Sequence, residues 1–97
     1  MTNKGEKMHY IYIVECCDGT LYTGYTNDLG KRIKTHNEKK GAKYTRGRIP
    51  VVLKYYEEFK CKNDALKREV EIKKLPRVKK QKLCNNGILW KFNLYSL

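Results

Sequence analysis

β-Branched and aromatic residues crowd two short runs near the start of the chain, His9 to Glu15 and Leu21 to Thr26. That composition suits pleated, half-buried backbone, and Asp18-Gly19 between the runs is a turn signal, so the pattern predicts a β-hairpin. Loop length decides which side chains share a face. A two-residue turn at Asp18-Gly19 pairs Cys17 with Thr20 and sets Tyr12 and Tyr22 on opposite faces. A three-residue loop, Cys17-Asp18-Gly19 with a left-handed Gly19, pairs Cys16 with Thr20 and gathers Tyr10, Tyr12, Tyr22 and Gly24 on one face. The three-residue loop is the expected one. In that register Gly24 lies opposite Tyr12, where the missing side chain leaves a floor beside both rings.

After the hairpin the periodicity changes. Thr26-Asn27-Asp28 offers a helix cap, and Leu29 and Ile33 stand four apart in a segment reaching to about Asn37. At ~100° per residue His36 falls beside that inward stripe and Arg32 at its margin, so both reach the edge of the sheet. Residues 38–50 contain Gly41, Gly47 and Pro50 among the basic residues Lys39, Lys40, Lys43, Arg46 and Arg48, and read as a loop or ragged helix end. Val51 to Phe59 reads as a third strand with Pro50 at its entrance. Asn63 or Asp64 then caps a helix to about Leu75. Pro76 opens a last one through Lys79, Lys80 and Lys82 to Leu83, ended by Asn85-Asn86-Gly87.

The expected fold is therefore α/β of the α+β kind, a three-stranded antiparallel sheet flanked by helices in the order β-β-α-β-α-α. At 97 residues there is room for one modest core. Residues 1–7 are expected to be a flexible N-terminus, 8–86 the domain, and 87–97 an apolar tail, with Trp90 and Phe92, that packs on the domain or meets a partner.

One carboxylate breaks the pattern. On a helical wheel for residues 64–75, Ala65, Leu66, Val70 and Ile72 define an apolar arc, and Glu69 falls near its middle. An ionised carboxylate turned inward is costly unless a cation partners it, so an arginine, a lysine or a divalent metal is expected beside Glu69. Glu71 projects outward among lysines.

Charge narrows the partner. With 22 Lys+Arg against 10 Asp+Glu, the chain carries a formal +12 spread over most of its length, which favours a polyanion such as nucleic acid. The basic run Lys39, Lys40, Lys43, Arg46 and Arg48 is expected to lie on a phosphate backbone, and Tyr44 within it to stack on a base. No stretch approaches 18 apolar residues, which argues against a membrane span. Cys16, Cys17, Cys61 and Cys84 form no CxxC pair, and the polar start lacks a secretory signal. These features predict four reduced thiols, used as small buried hydrophobes, in a cytoplasmic protein.

Taken together, Tyr10-Ile11-Tyr12, Tyr22-Thr23-Gly24, Arg32, His36 and the inward Glu69 resemble the GIY-YIG nuclease superfamily over residues 8 to 85. The likeness is greatest to its small, single-domain, mainly bacterial branch, which also resembles this chain at Lys39 to Arg46. The resemblance implies a metal-dependent nuclease. Glu69 would hold one Mg²⁺ or Mn²⁺, Arg32 would bind the scissile phosphate, Tyr12 and Tyr22 would position or activate the attacking water, and His36 would support a tyrosine or the phosphate. Which tyrosine serves as base stays open, because an unperturbed phenol has a pKa of ~10. Tyr10 replaces the first motif's glycine, Thr23 replaces the second motif's isoleucine, and Tyr25 stands where some relatives carry a lysine. Asn85 and Asn86 are loose candidates for an asparagine that many relatives have near the module's end.

The function so implied is an endonuclease acting on phosphodiester bonds, in DNA first, with a repair or recombination role. The alternative is a non-catalytic nucleic-acid-binding module that keeps the fold, and a third idea is an accessory module whose tail binds a partner.

Overall fold

The computed structural model describes residues 8–85, so the expectations for residues 1–7, Asn86 and the tail 87–97 lie outside the described residues. Strand β1 (His9–Glu15) is central in a three-stranded sheet, flanked by β2 (Leu21–Thr26) and β3 (Val52–Phe59) in the order β2-β1-β3, all antiparallel. Between β2 and β3 lie α1 (Leu29–Asn37) and the single turn α2 (Lys43–Arg46). After β3 come α3 (Lys62–Lys73) and α4, which starts at residue 77 and runs through 85. The observed order is β-β-α-α-β-α-α, the expected α+β arrangement with one short helix more. That extra turn, α2, falls in the basic segment read as a loop, where four residues are too few to show a helical period.

The hairpin closes as expected. Cys16 N–H donates to Thr20 O at 2.8 Å, Gly19 N–H to Cys16 O at 2.9 Å, and Gly19 sits at φ 85°. Tyr12 pairs with Gly24 and Val14 with Tyr22, which places Tyr12, Tyr22 and Gly24 on one face. The loop is braced from outside: Arg48 pairs with Asp18 at 3.4 Å, and Arg77 donates to Gly19 O at 2.8 Å.

Because side chains alternate across the central strand, the sheet separates two apolar clusters. Ile11 and Ile13 pack with Tyr55, Ala65, Ile72 and Cys84 under α3. Tyr12, Val14, Cys16 and Val51 pack on the opposite face with Leu29 and Ile33 of α1. Each fully buried Ile contributes about 1.5–3 kcal/mol.

Three details differ from expectation. Helix α3 is capped by Cys61, in extended backbone without a side-chain cap bond, rather than by Asn63 or Asp64. The chain turns within two residues of β3, so Asp64 falls inside the first turn, where it complements the helix dipole instead. Val70 is 51% exposed and does not belong to the apolar arc. All four cysteines are free, but only Cys16 and Cys84 are buried; Cys17 and Cys61 lie on loops at element ends and are exposed. Among the described residues no helix is long and apolar enough to cross a membrane.

Candidate functional site

Helix α1 presents two of the expected residues. Asp28 caps it by accepting from Lys31 N–H at 3.1 Å. Arg32 and His36, one turn apart, then face the sheet, and His36 has no exposed surface. The helix ends in a paired reversal: Lys39 N–H donates to His36 O and Lys40 N–H to Thr35 O, each at 3.0 Å, with Lys39 at φ 65°. Those bonds are a Schellman motif, built here on lysine where glycine is usual. The reversal brings Gly41 against the imidazole so closely that a Cβ would lie 2.2 Å from His36 Nδ1. Helix α2 then returns Thr45, itself fully buried, to 2.7 Å from His36 Nδ1. A side-chain clamp fixes the far end, since Asn37 Nδ2 donates to Val51 O at 3.2 Å and Asn37 Oδ1 accepts from Val51 N–H at 2.7 Å. Neither Thr45 nor Asn37 carried a signal in the sequence beyond its polar type.

Above this base stands Tyr12. Its hydroxyl lies 2.8 Å from His36 Nε2 and accepts from Arg32 Nε at 3.3 Å. Gly24 forms the floor beneath it, and a Cβ there would sit 2.5 Å from the Tyr12 oxygen. The expected convergence of phenol, guanidinium and imidazole is thus present, with one difference. Tyr12 has no exposed surface, and burial pushes its pKa above the ordinary phenol value against the lowering influence of Arg32. Tyr22, at 6.4 Å between ring centroids, is the partly exposed tyrosine of the two. Because the Gly24 floor leaves no room for a methyl group, Gly24→Ala is expected to push the Tyr12 ring off His36 and to destabilise the fold by about 1–3 kcal/mol. Thermal unfolding checks this, and an unchanged midpoint would show that the ring has space to retreat.

Burial, aided by the Arg32 charge, holds the His36 pKa below its ordinary value. The unfolded chain therefore takes up this proton first as pH falls. The stability gained from the neutral ring is complete above about pH 6.5 and is lost as pH falls toward the depressed folded value. The melting temperature should decline on acidification through that window, and His36→Gln should lose this slope.

The second tyrosine leads outward. Tyr22 stacks on Tyr44 at 5.6 Å and 26°, and the Arg48 guanidinium lies 4.3 Å from the Tyr44 ring centre. Tyr44, expected against a base, is 42% exposed. Arg48, expected on phosphate, is engaged by Asp18 and Tyr44. Lys39, Lys40, Lys43 and Arg46 are exposed around them, with Arg46 Nε reaching Gly41 O at 3.4 Å.

Glu69 approaches from α3, on the other side of the sheet. Its carboxylate is mostly covered, 17% exposed, and pairs with Lys73 at 3.2 Å, while the Lys73 ammonium lies 5.9 Å from the Tyr22 ring centre. Of the expected partners, the lysine is the one present. Through Lys73 the acid is thus carried toward Tyr22 on β2. Helix α3 is held there by Arg68, which donates to both carboxylate oxygens of Glu57, at 2.9 and 3.1 Å, and to Glu71 at 3.0 Å. Tyr55 donates to the same Glu57 carboxylate.

Among the described residues no three His, Cys, Asp or Glu side chains converge. A divalent ion at Glu69 would therefore have one protein carboxylate, with water and substrate oxygens completing its shell. That donor set fits a hard cation such as Mg²⁺, which keeps most of its water. Arg32 also lines a cleft of about 210 Å³ with Thr26, Asn27, Asp28, Lys31 and Thr35, so its guanidinium borders both the buried tyrosine and solvent.

The family profile described as GIY-YIG catalytic domain matches residues 8–82. A UPF0213 protein of Staphylococcus saprophyticus is 60% identical over 79 residues, 81% of this chain and 96% of the relative. One from Halobacterium salinarum is 53% identical over 76 residues, 78% of this chain and 99% of the relative. Among solved structures, the solution NMR structure of the UPF0213 protein from Bacillus halodurans is 51% identical with a TM-score of 0.53, covering 80% of this chain and 83% of its own.

Proposed function

Because the chain belongs to the GIY-YIG family, a nuclease-type family of catalytic domains, we propose that it is a metal-dependent endonuclease hydrolysing phosphodiester bonds in DNA. The observation that carries the proposal is the junction at the β2 edge. Arg32, a forked donor matched to phosphate oxygens, rests on Tyr12, while Glu69, paired with a lysine that lies 5.9 Å from the Tyr22 ring centre, approaches β2 from the opposite side of the sheet.

In this proposal Arg32 commits Nε to Tyr12 and offers its terminal nitrogens to the scissile phosphate. Tyr22, partly exposed, orients the attacking water, and Tyr12 with His36 holds the arginine. Glu69 would hold Mg²⁺ or Mn²⁺ in place of its present pairing with Lys73, whose side chain is half exposed. The ion, when bound, supplies Lewis acidity that lowers the pKa of water and offsets charge on the leaving oxygen. Lys39, Lys40, Lys43 and Arg46 carry the duplex through its phosphates without reading sequence, so selection by structure rather than by a long target site is expected. A repair or recombination role would suit that selectivity.

The test is nicking of plasmid and branched DNA with Mg²⁺, with Mn²⁺ and with chelator. Metal-dependent nicking supports the enzyme. Salt-sensitive binding without cleavage on any of these substrates would instead favour a nucleic-acid-binding module.

A further inference from the structure

The threonine of Lys43-Tyr44-Thr45-Arg46 has no part in the chemistry above, yet it is fully buried against His36. Its hydroxyl carries one proton, and that proton is given to Ala42 O at 3.0 Å. With its proton on Ala42 O, a carbonyl that also accepts from Thr45 N–H, Thr45 Oγ1 offers His36 Nδ1, at 2.7 Å, a lone pair, and Nδ1 then bears the hydrogen. His36 has no exposed surface, and a second ring proton on Nε2 would leave the Tyr12 proton facing only the Arg32 donors, so the ring is neutral and Nε2 is bare. The Tyr12 hydroxyl, 2.8 Å away, must then donate to Nε2, which leaves its oxygen to accept from Arg32 Nε.

All the bonds run one way: Arg32 to Tyr12, Tyr12 to His36, His36 to Thr45, Thr45 to Ala42. The reversed string fails. With hydrogen on Nε2, the imidazole would donate to the Tyr12 oxygen and the phenol proton would face a guanidinium that offers only N–H groups. A buried donor without an acceptor costs about 1–3 kcal/mol. Gly41 is part of the same arrangement, because a Cβ there would lie 2.2 Å from His36 Nδ1 and displace the ring.

We infer that Thr45 is a positioning residue: it fixes His36 as the Nδ1–H tautomer, which turns the Tyr12 oxygen toward Arg32 and so aims the guanidinium from the far end of a four-residue string. Tyr12 on this account holds Arg32 and takes no proton from water, in keeping with its complete burial. The consequence for cleavage rests on the proposed nuclease activity, whereas the direction of the string does not.

The experiment is ¹⁵N-edited NMR of the full chain at neutral pH. His36 is expected with a protonated Nδ1 and an unprotonated Nε2, together with a slowly exchanging Arg32 Nε–H resonance. Thr45→Val keeps the size and removes the acceptor; it should lose the single-tautomer signature and the Arg32 resonance. Thr45→Ser should retain both, and Tyr12→Phe should lose the Arg32 resonance while keeping the tautomer. On a cleaved DNA, kcat/KM should fall about tenfold to a hundredfold in Thr45→Val and recover in Thr45→Ser. An Nε2–H tautomer in the parent chain overturns the inference, even if Thr45→Val fails to fold. So does an Arg32 resonance that is unmoved in a folded Thr45→Val. Absence of cleavage by the parent chain would count against the nuclease activity alone, since the NMR result decides the string.

Discussion

Glu69→Gln is expected to lower metal-stimulated cleavage about a thousandfold, the equivalent of ~4 kcal/mol of transition-state stabilisation, while the fold and DNA affinity stay close to those of the parent chain. Glutamine keeps the shape of the side chain and removes the charge that a hard cation needs. Stability should change little because the ion pair lost is with Lys73, whose side chain is half exposed, and such pairs contribute about 0–1 kcal/mol. Helix α3 remains anchored through Arg68 and Glu57, which do not involve Glu69. Affinity should persist because the net charge of +12 becomes one unit more positive. Plasmid nicking across a Mg²⁺ titration, beside thermal unfolding of the same samples, measures both halves. Undiminished nicking at saturating metal would remove Glu69 from the proposal.

The parts of this arrangement legible in the sequence were those with a local period. A three-residue hairpin loop sets the register in steps of two, so the pattern alone puts Tyr12, Tyr22 and Gly24 on one face, as their pairing has them. A helix of nine residues from a clear cap likewise fixed the sides of Arg32 and His36. The segment between α1 and β3 offered no such period. Its shape comes from the reversal at Lys39, the contact of Gly41 with an imidazole and the return of Thr45, each a tertiary fact resting on a single residue. In the same stretch charge alone did not show that Arg48 also pairs with Asp18 and lies over the Tyr44 ring, contacts that favour a cation beside an acid and an exposed aromatic face. Glu69 was placed inward although the arc that located it wrongly included Val70, since Ala65, Leu66 and Ile72 are enough to orient the helix.

If the guanidinium is aimed as inferred above, geometry at Arg32 matters more than its charge. Arg32→Lys is therefore expected to lose about a hundredfold in kcat/KM, against little change in affinity for DNA. Lysine preserves the positive charge, so the number of phosphates neutralised, and with it the dependence of binding on salt, should be unchanged. What disappears is the Nε–H that meets Tyr12 at 3.3 Å and the planar fork it orients. The Tyr12 oxygen, buried against Gly24, would lose its donor, a cost of about 1 kcal/mol that thermal unfolding can register. Binding and cleavage measured on one substrate at several salt concentrations separate the alternatives. If affinity and cleavage fell together, Arg32 would be one more phosphate contact in a basic shell; full activity with lysine would mean that the string from Thr45 aims nothing that the reaction uses.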